Sequence, residues 1–398
     1  MIPTEAAVAA DVFKADVLAG HLWRVGDQVS FRYASGYDGA PVAVTLPLGS
    51  AANEIGLRLP PFFAGLLPEG DTRRRTLARA LHIAEDDELG LLVQIGADTI
   101  GDVQVVPAGT TPPEVDLAAP GDLADLTFTE LWAVPERWEE RSTIAGVQPK
   151  LSFHSRSLAG GRAGRTILKF SPDESWFGVL ENEALCMAAA RDVGLRAPDV
   201  DIVTGRDGWR ALAVDRFDRS VVGGRLLRHA QEDATQVLGL RPGQKYDPAA
   251  RTIVLALSEA CSAPIVARRD LLHQLLYSYA IGNNDLHAKN LSIGRDPRSG
   301  IWSVTPVYDV LHTWPYESDH RFHPAVRDAA HDTLTRKHWL SLAADLDLPP
   351  KVVEKLIGQV VGGVARLVEE LDAEALAMPV SWVRDLRRRT RKRLRDLA

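Results

Sequence analysis

The chain has 398 residues, enough for two or three domains and an ample core. Its hydrophobic content of 45% and charged content of 25% are those of a globular protein, and its net charge is -7. The two cysteines, Cys186 and Cys261, form no metal or redox motif. The opening stretch MIPTEAAVAADVFKAD does not read as a signal peptide, and no apolar run reaches about eighteen residues, which predicts no membrane span and a soluble cytoplasmic protein.

In chain order, VSFRY (29–33) and VAVTLPL (42–48) read as strands. PPFFAGLLPEGDTRRRTLARAL (60–81) opens on prolines and continues at helical spacing, which predicts a helix. GDVQVVP (101–107) reads as a closing strand. The Pro-, Gly- and Thr-rich stretch that follows predicts a linker and a domain boundary over 107–120. KLSFHS (150–155) and RTILKFS (165–171) then read as a strand pair. Residues 175–194 read as a helix with Leu180, Ala184, Met187 and Ala188 on one face and Gly194 just past its end. Residues 199–218 read as a hairpin turning at GRDG, and the chain beyond 220 as mainly helical. Within it, RRDLLHQLLYSYAIG (268–282) sets its leucines on one side. Two strands follow, NLSIG (290–294) and IWSVTPVYDV (301–310), then an amphipathic helix over 351–371.

The stretch GNNDLHAKN (282–290) crowds polar groups between two apolar segments. It reads either as an Asx-rich turn or as a catalytic loop. Asp285 precedes Asn290 by five residues, the step a kinase uses between its base and a metal-binding Asn. Three other features are equally open when taken alone. Asp309 ends a strand-like run, where a magnesium carboxylate or a cap could stand. Lys169 lies on an apolar strand and could meet Glu183 of the next helix, or an open strand edge. Residues 142–150, STIAGVQPK, could cradle phosphates through backbone N–H groups or form a plain turn, and they are not a G-x-G-x-x-G loop. What points to phosphoryl transfer is the order: small-residue loop, Lys, Glu, Asp…Asn, Asp. His312, His320 and His323 lack a convincing metal spacing, and no G-x-S-x-G elbow is present.

The blocks FFAGLLPEG, TIAGVQPKLSF, ILKF, ENEALCMAAARDVGL, ALAVDRFDR, QED, GNNDLHAKNLSI and TPVYDV run in one order along nearly the whole chain. In these the sequence resembles the HipA-type serine/threonine kinases, the toxin half of bacterial toxin–antitoxin pairs. The resemblance implies an α+β, bilobal protein-kinase-like fold. Its parts would be an extra N-terminal subdomain (1–110), a β-rich N-lobe (121–220) and a helical C-lobe (221–398). It implies Asp285 as catalytic base, Asn290 and Asp309 on Mg²⁺, and Lys169 on the ATP phosphates with Glu183 as its ion-pair partner. Asp215, Arg216 and Phe217 would form the hinge beside adenine. Ala145, Gly146, Val147, Gln148, Pro149 and Lys150 would form the phosphate-side loop, and His287, Ala288, Lys289 and Tyr308 would complete the nucleotide site. Thr143, with neighbouring Ser142, stands where the family carries an autophosphorylated serine. The implied partners are a small helix-turn-helix antitoxin of the HipB type, operator DNA through that antitoxin, and a cellular protein substrate, an aminoacyl-tRNA synthetase in the type member.

One motif stands apart. Residues 382–398 carry a local balance of +6. They read either as a nucleic-acid or acidic-partner contact or as a solvated helix with i,i+4 pairs. A non-catalytic co-repressor scaffold is the competing functional reading.

Overall fold

The computed structural model describes residues 2–68, 71–114, 123–133, 150–152, 165–171, 176–316, 322–326 and 334–398. Its backbone divides into two compact units. The first draws on residues 1–170, 203–242 and 294–298, and the second on 171–202, 243–293 and 299–398.

The first unit opens with an antiparallel sheet in the order β4-β3-β2-β1-β5. Its strands are β1 (Val8–Lys14), β2 (Val17–Val25), β3 (Gln28–Tyr33), β4 (Ala51–Ile55) and β5 (Val103–Pro107). Inward residues Val12, Leu22, Val29 and Phe31 pack on Phe62, Phe63, Leu89 and Leu92. Residues 42–48 are not the expected strand and hold only an isolated bridge from Ala43 to Leu46. The Tyr33 hydroxyl explains this: it accepts the Val42 N–H at 2.8 Å and donates to the Leu46 carbonyl, pinning the segment as a turn. The helix expected over 60–81 is two helices, α1 (Pro61–Ala64) and α2 (Asp71–Ala80). Pro68 lies between them, lacks an N–H, and disfavours helix in the residue before it. Helix α3 (Glu88–Ile95) is capped by Asp87, which accepts the Gly90 N–H at 2.8 Å.

After the short α4 (Phe128–Ala133), a second sheet forms in the order β6-β7-β9-β8. It contains β6 (Lys150–Ser152), β7 (Thr166–Phe170), β8 (Val200–Thr204) and β9 (Arg210–Asp215). The expected strand pair is present, with Lys150 opposite Lys169. So is the expected hairpin, closed by the Gly205 N–H on the Trp209 carbonyl at 2.8 Å. The chain does not turn helical at 220. A hairpin of β10 (Arg219–Val222) and β11 (Arg225–Arg228) comes first, then β12 (Gln231–Asp233) and one turn of α6 (Ala234–Val237). Gly223 and Gly224, at φ +58° and +76°, supply the left-handed pair that a two-residue hairpin turn needs.

The second unit is mainly helical, with α5 (Val179–Asp192), α7 (Ala250–Glu259), α8 (Pro264–Ile281), α9 (Arg336–Asp345), α10 (Pro350–Glu370) and α11 (Val380–Leu397). Strands β13 (Ser292–Arg295) and β14 (Trp302–Val304) lie between α8 and α9. Helix α5 ends before Gly194, at φ +87°, as expected. Its buried surface is wider than one stripe and includes Glu183 and Cys186, whereas Ala188 faces outward. Helix α8 also departs from the one-sided expectation: every residue from Leu271 to Ile281 is buried, the pattern of a core helix. The run 301–310 is strand only over Trp302–Val304, because Pro306 cannot donate to a ladder. Among the described residues, no helix is long and apolar enough to cross a membrane.

Candidate active site

Helix α8 delivers the loop of interest. Gly282 ends it in the left-handed region at φ +86°, its N–H on the Ser278 and Tyr279 carbonyls. A Cβ there would meet the Trp314 ring at 3.2 Å, so both the backbone angle and the space call for glycine. The next residues turn inward: Asn283 and Asn284 are each 1% exposed. Leu286 and Ala288 anchor the loop in the core, while Asp285, just before them, is half-buried. A single 3-10 turn, Ala288–Asn290, closes it. Its geometry is held by the His287 N–H on Asn290 Oδ1 at 3.3 Å and by the Ala288 N–H on the Lys245 carbonyl at 3.0 Å.

Asp285 Oδ1 accepts a hydrogen bond of 2.5 Å from the Tyr246 hydroxyl. Tyr246 in turn packs edge-on to His287 and against His323, each ring centroid 5.2 Å away, with Lys245 Nζ 5.1 Å from its ring centre. A hydroxyl hydrogen on this carboxylate is the arrangement a general base makes with an alcohol.

Asn290 and Asp309 come together, with Asn290 Nδ2 donating to Asp309 Oδ2 at 3.4 Å. Asp309 takes φ +54°, a region L-residues rarely adopt, and its carbonyl accepts from Asn283 Nδ2 at 3.3 Å. Tyr308 donates its hydroxyl to the Lys289 carbonyl at 2.7 Å, fastening this segment to the 3-10 turn. Behind it, Asn182 of α5 brackets the His312 backbone: Nδ2 donates to its carbonyl at 2.8 Å and Oδ1 accepts its N–H at 3.0 Å. The Asp309 carboxylate and the Asn290 carbonyl oxygen, with its second lone pair, are hard oxygen donors. This set fits Mg²⁺, which takes one or two carboxylates and fills its other positions with water and phosphate.

The remaining predicted residues fall elsewhere. Lys169 lies on β7 of the first unit, 4% exposed, and Glu183 on α5 of the second, 1% exposed. Asp215 ends β9, its carboxylate 3.5 Å from the Thr166 hydroxyl, and Phe217 is half-buried two residues on. Arg216 sends its guanidinium into the first unit, onto Asp98 at 3.1 Å and Asp218 at 2.7 Å. Arg219 meets the same two carboxylates at 2.9 and 2.8 Å. The carbonyls of Thr99 and Gly101 take further guanidinium hydrogens. Burial alone would push the Asp218 carboxyl up, but Arg216 and Arg219 together outweigh it and hold it at about 2. Ser142, Thr143, Ala145, Gly146, Val147, Gln148 and Pro149 lie outside the described residues, and Lys150 is described only as the backbone of β6. His312 is fully buried, with its Nδ1 on the Ile281 carbonyl, while His320 lies outside the described residues.

Two residues that sequence reasoning missed belong to this site. Tyr246 stands in an ordinary-looking turn, GQKYD, and nothing in its spacing announces it. Arg393 carries a readable signal: Val383, Leu386, Thr390, Leu394 and Leu397 form the inner stripe of α11, and Arg393 falls within that stripe.

Comparison with known proteins shows the family of the chain. A family model described as the HipA N-terminal domain matches residues 10–106, and one described as the HipA-like C-terminal domain matches 142–368. The chain is 29% identical over 347 residues to the serine/threonine-protein kinase toxin HipA of Shewanella oneidensis, covering 79% of this chain and 77% of that one. It is 31% identical over 342 residues to the Sinorhizobium fredii protein Y4mE, covering 78% and 79% of the two chains. Among solved structures, HipA from the Shewanella oneidensis complex of HipA, HipB and operator DNA matches with a TM-score of 0.75 at 24% identity. That match covers 98% of this chain and 97% of that one. The expected α+β, kinase-like bilobal fold is therefore the fold of this chain.

Proposed function

Because the chain belongs to the HipA family of kinase toxins, we propose that it is an ATP- and Mg²⁺-dependent serine/threonine protein kinase held in check by a helix-turn-helix antitoxin. The observation that carries this reading is the Tyr246 hydroxyl on Asp285 Oδ1 at 2.5 Å, beside the Asn290–Asp309 pair, on a loop anchored in a buried core. In this reading Asp285 accepts the proton of the acceptor hydroxyl as that oxygen turns toward phosphorus. Asn290 and Asp309 would hold Mg²⁺, which when bound neutralises phosphate charge. Lys169 would meet the ATP phosphates with Glu183 as its ion-pair partner. His287, Ala288, Lys289 and Tyr308 would complete the nucleotide side.

Asp215, Arg216 and Phe217 would flank adenine, Arg216 through its backbone, since its guanidinium is engaged by Asp98 and Asp218. The loop Ala145–Lys150 would lie on the phosphates, and Ser142 or Thr143 would be the autophosphorylated hydroxyl. A phosphate there adds about -1.5 to -2 charge next to the nucleotide and would repel it, which is a built-in off switch. The domain limits of 1–110, 121–220 and 221–398 belong to the same proposal, as do a cytoplasmic setting, operator DNA reached through the antitoxin, and a translation-related protein substrate such as an aminoacyl-tRNA synthetase.

The test is phosphotransfer from labelled ATP by Asp285→Asn and Asp309→Asn protein, with mass mapping of residues 141–150. Loss of the base should lower the rate on the order of 10²–10⁴-fold. Wild-type labelling in both variants would remove Asp285 and Asp309 from their assigned roles, and no labelling by the wild-type protein would leave the co-repressor scaffold.

A further inference from the structure

The C-terminal basic run is more than a charged surface. Several of its cations are matched within the helix or to its neighbour: Arg388 and Arg389 to Asp385, Lys392 to Asp396, and Arg391 to Glu369. Arg393 behaves differently. It is 3% exposed and points inward from α11. Its guanidinium donates to the Tyr279 carbonyl at 2.6 Å and to Asn284 Oδ1 at 2.8 Å. It also lies 4.5 Å from the centroid of the Tyr279 ring and 4.6 Å from that of Trp314.

These partners span the point where helix becomes loop. Tyr279 is in the last turn of α8, Gly282 ends that helix, and Asn284 immediately precedes Asp285. Thr313 ties the same turn from another direction. Its hydroxyl accepts the Asn284 N–H at 3.0 Å, and its own N–H donates to the Gly282 carbonyl at 3.2 Å. Burying a guanidinium is costly unless its hydrogens are used, so placing one here stabilises little by itself. What it supplies is direction. A planar fork joins a helix carbonyl to a loop side chain, between aromatic faces that restrict its tilt.

We propose that Arg393 is a positioning residue for phosphoryl transfer: through Asn284 it fixes the entry of the 282–290 loop, and with it the Asp285 carboxylate, so that α11 is part of the catalytic apparatus. The proposal rests on the reading of Asp285 as base. The nucleotide-side turn 288–290 has its own ties to Lys245 and Tyr308, so a slip at the loop entry falls mainly on Asp285, which then meets the acceptor hydroxyl badly. The defect therefore falls on turnover rather than on ATP binding.

The experiment uses full-length protein carrying Arg393→Lys, Asn284→Ala, or both. Lysine keeps the charge and loses the fork, while alanine at 284 leaves Arg393 in place with its helix carbonyl and rings. Each single change is expected to lower kcat on the order of ten- to a hundredfold, with KM for ATP changed by less than about twofold. The double variant should fall no further than the worse single one, because the two changes break one link. Hydrogen exchange of amides 283–290 should speed up in both single variants. Wild-type kcat in Asn284→Ala, or multiplying effects in the double variant, would overturn the proposal. Should the wild-type protein transfer no phosphate at all, the kinase reading fails. The exchange measurement still decides the positioning claim, and unchanged protection in Asn284→Ala and Arg393→Lys overturns it. If Arg393→Lys does not fold, Asn284→Ala alone carries both readouts.

Discussion

As strings of letters, VDRFDR of the first unit and NNDLHAKN of the helical unit are alike: each crowds charged residues between apolar runs. Their structures differ in how the charge is used. Around VDRFDR, two guanidinia face two carboxylates in a closed set, with side-chain exposures of 0–6%. At and beyond NNDLHAKN, the two acids are half-buried on a loop, and their contacts include a tyrosine hydroxyl at Asp285 and a carboxamide at Asp309. A closed ion cluster is committed to holding its own chain together. Carboxylates that keep part of their surface exposed retain the capacity to take a proton or a cation. The density of charge in a sequence says little about function; what the charges face decides it.

The largest expected effect tests the closed cluster. Asp98→Ala leaves Arg216 and Arg219 sharing the Asp218 carboxylate in a dry site. Removing one partner of a buried ion pair costs about 3–5 kcal/mol, so the urea midpoint should drop sharply with the m-value unchanged. Asp285→Asn, on a half-exposed side chain, should leave stability within about 0.5 kcal/mol while phosphotransfer collapses. If Asp98→Ala unfolds at the wild-type urea concentration, the cluster is not closed in solution and the contrast fails.

Next in size is a pH effect that separates the two units. In the helical unit, burial brings His312 and His273 down to about 4 from the ordinary 6.5. Their neutral forms are the folded forms, and the unfolded chain binds the extra protons between those values. The stability they contribute is whole above pH 6.5 and is lost as pH falls toward 4, up to roughly 3 kcal/mol for each histidine. In the first unit Glu232 does the opposite. Burial pushes its carboxyl up to about 7, over the opposing pull of Lys14 and the Val44 N–H. The folded state then holds a proton the unfolded chain releases, so stability drains as pH rises from 4.5 to about 7. Amide exchange at pH 5 and pH 8 should therefore show α8 protected more at the higher pH. Glu232→Gln should stabilise the protein at pH 8 and not at pH 4. Parallel behaviour of the two units would show that these groups do not set the profile.

The contrast also explains what was legible in advance. The loop was readable because its flanks obey simple rules: an apolar run, a glycine stop, a fixed step from Asp285 to Asn290, and another acid beyond a strand. Local pattern also found the β6–β7 pair and the β8–β9 hairpin. What escaped depended on long-range partners. Nothing near Arg216 in the chain announces that its guanidinium meets Asp98, 118 positions earlier. Residues 42–48 read as a strand until the Tyr33 hydroxyl is seen to hold them as a turn. Helix α8 reads as one-sided because His273, Gln274 and Ser278 look like a polar face. Gln274 is buried on the Thr305 carbonyl at 2.8 Å instead. Periodicity reports polarity, and a polar residue with a distant partner defeats it.

The smallest effect is the most direct test of what the Asp285 carboxylate is for. Tyr246 is 41% exposed, so its ring contributes little to the core, and Phe preserves its packing on His287 and His323. Tyr246→Phe removes one hydrogen bond to a charged acceptor at a wet site. Water can take the vacated place, which limits the loss to about 1 kcal/mol and the fall in kcat to within about tenfold. The direction matters more than the size. If the tyrosine hydroxyl steadies Asp285 for an incoming hydroxyl, kcat falls while KM for the protein acceptor holds. If it instead occupies the place the acceptor must take, removing it lowers that KM. Measuring both constants for Tyr246→Phe separates the two. A change in neither would mean that the 2.5 Å contact is incidental to the chemistry of Asp285.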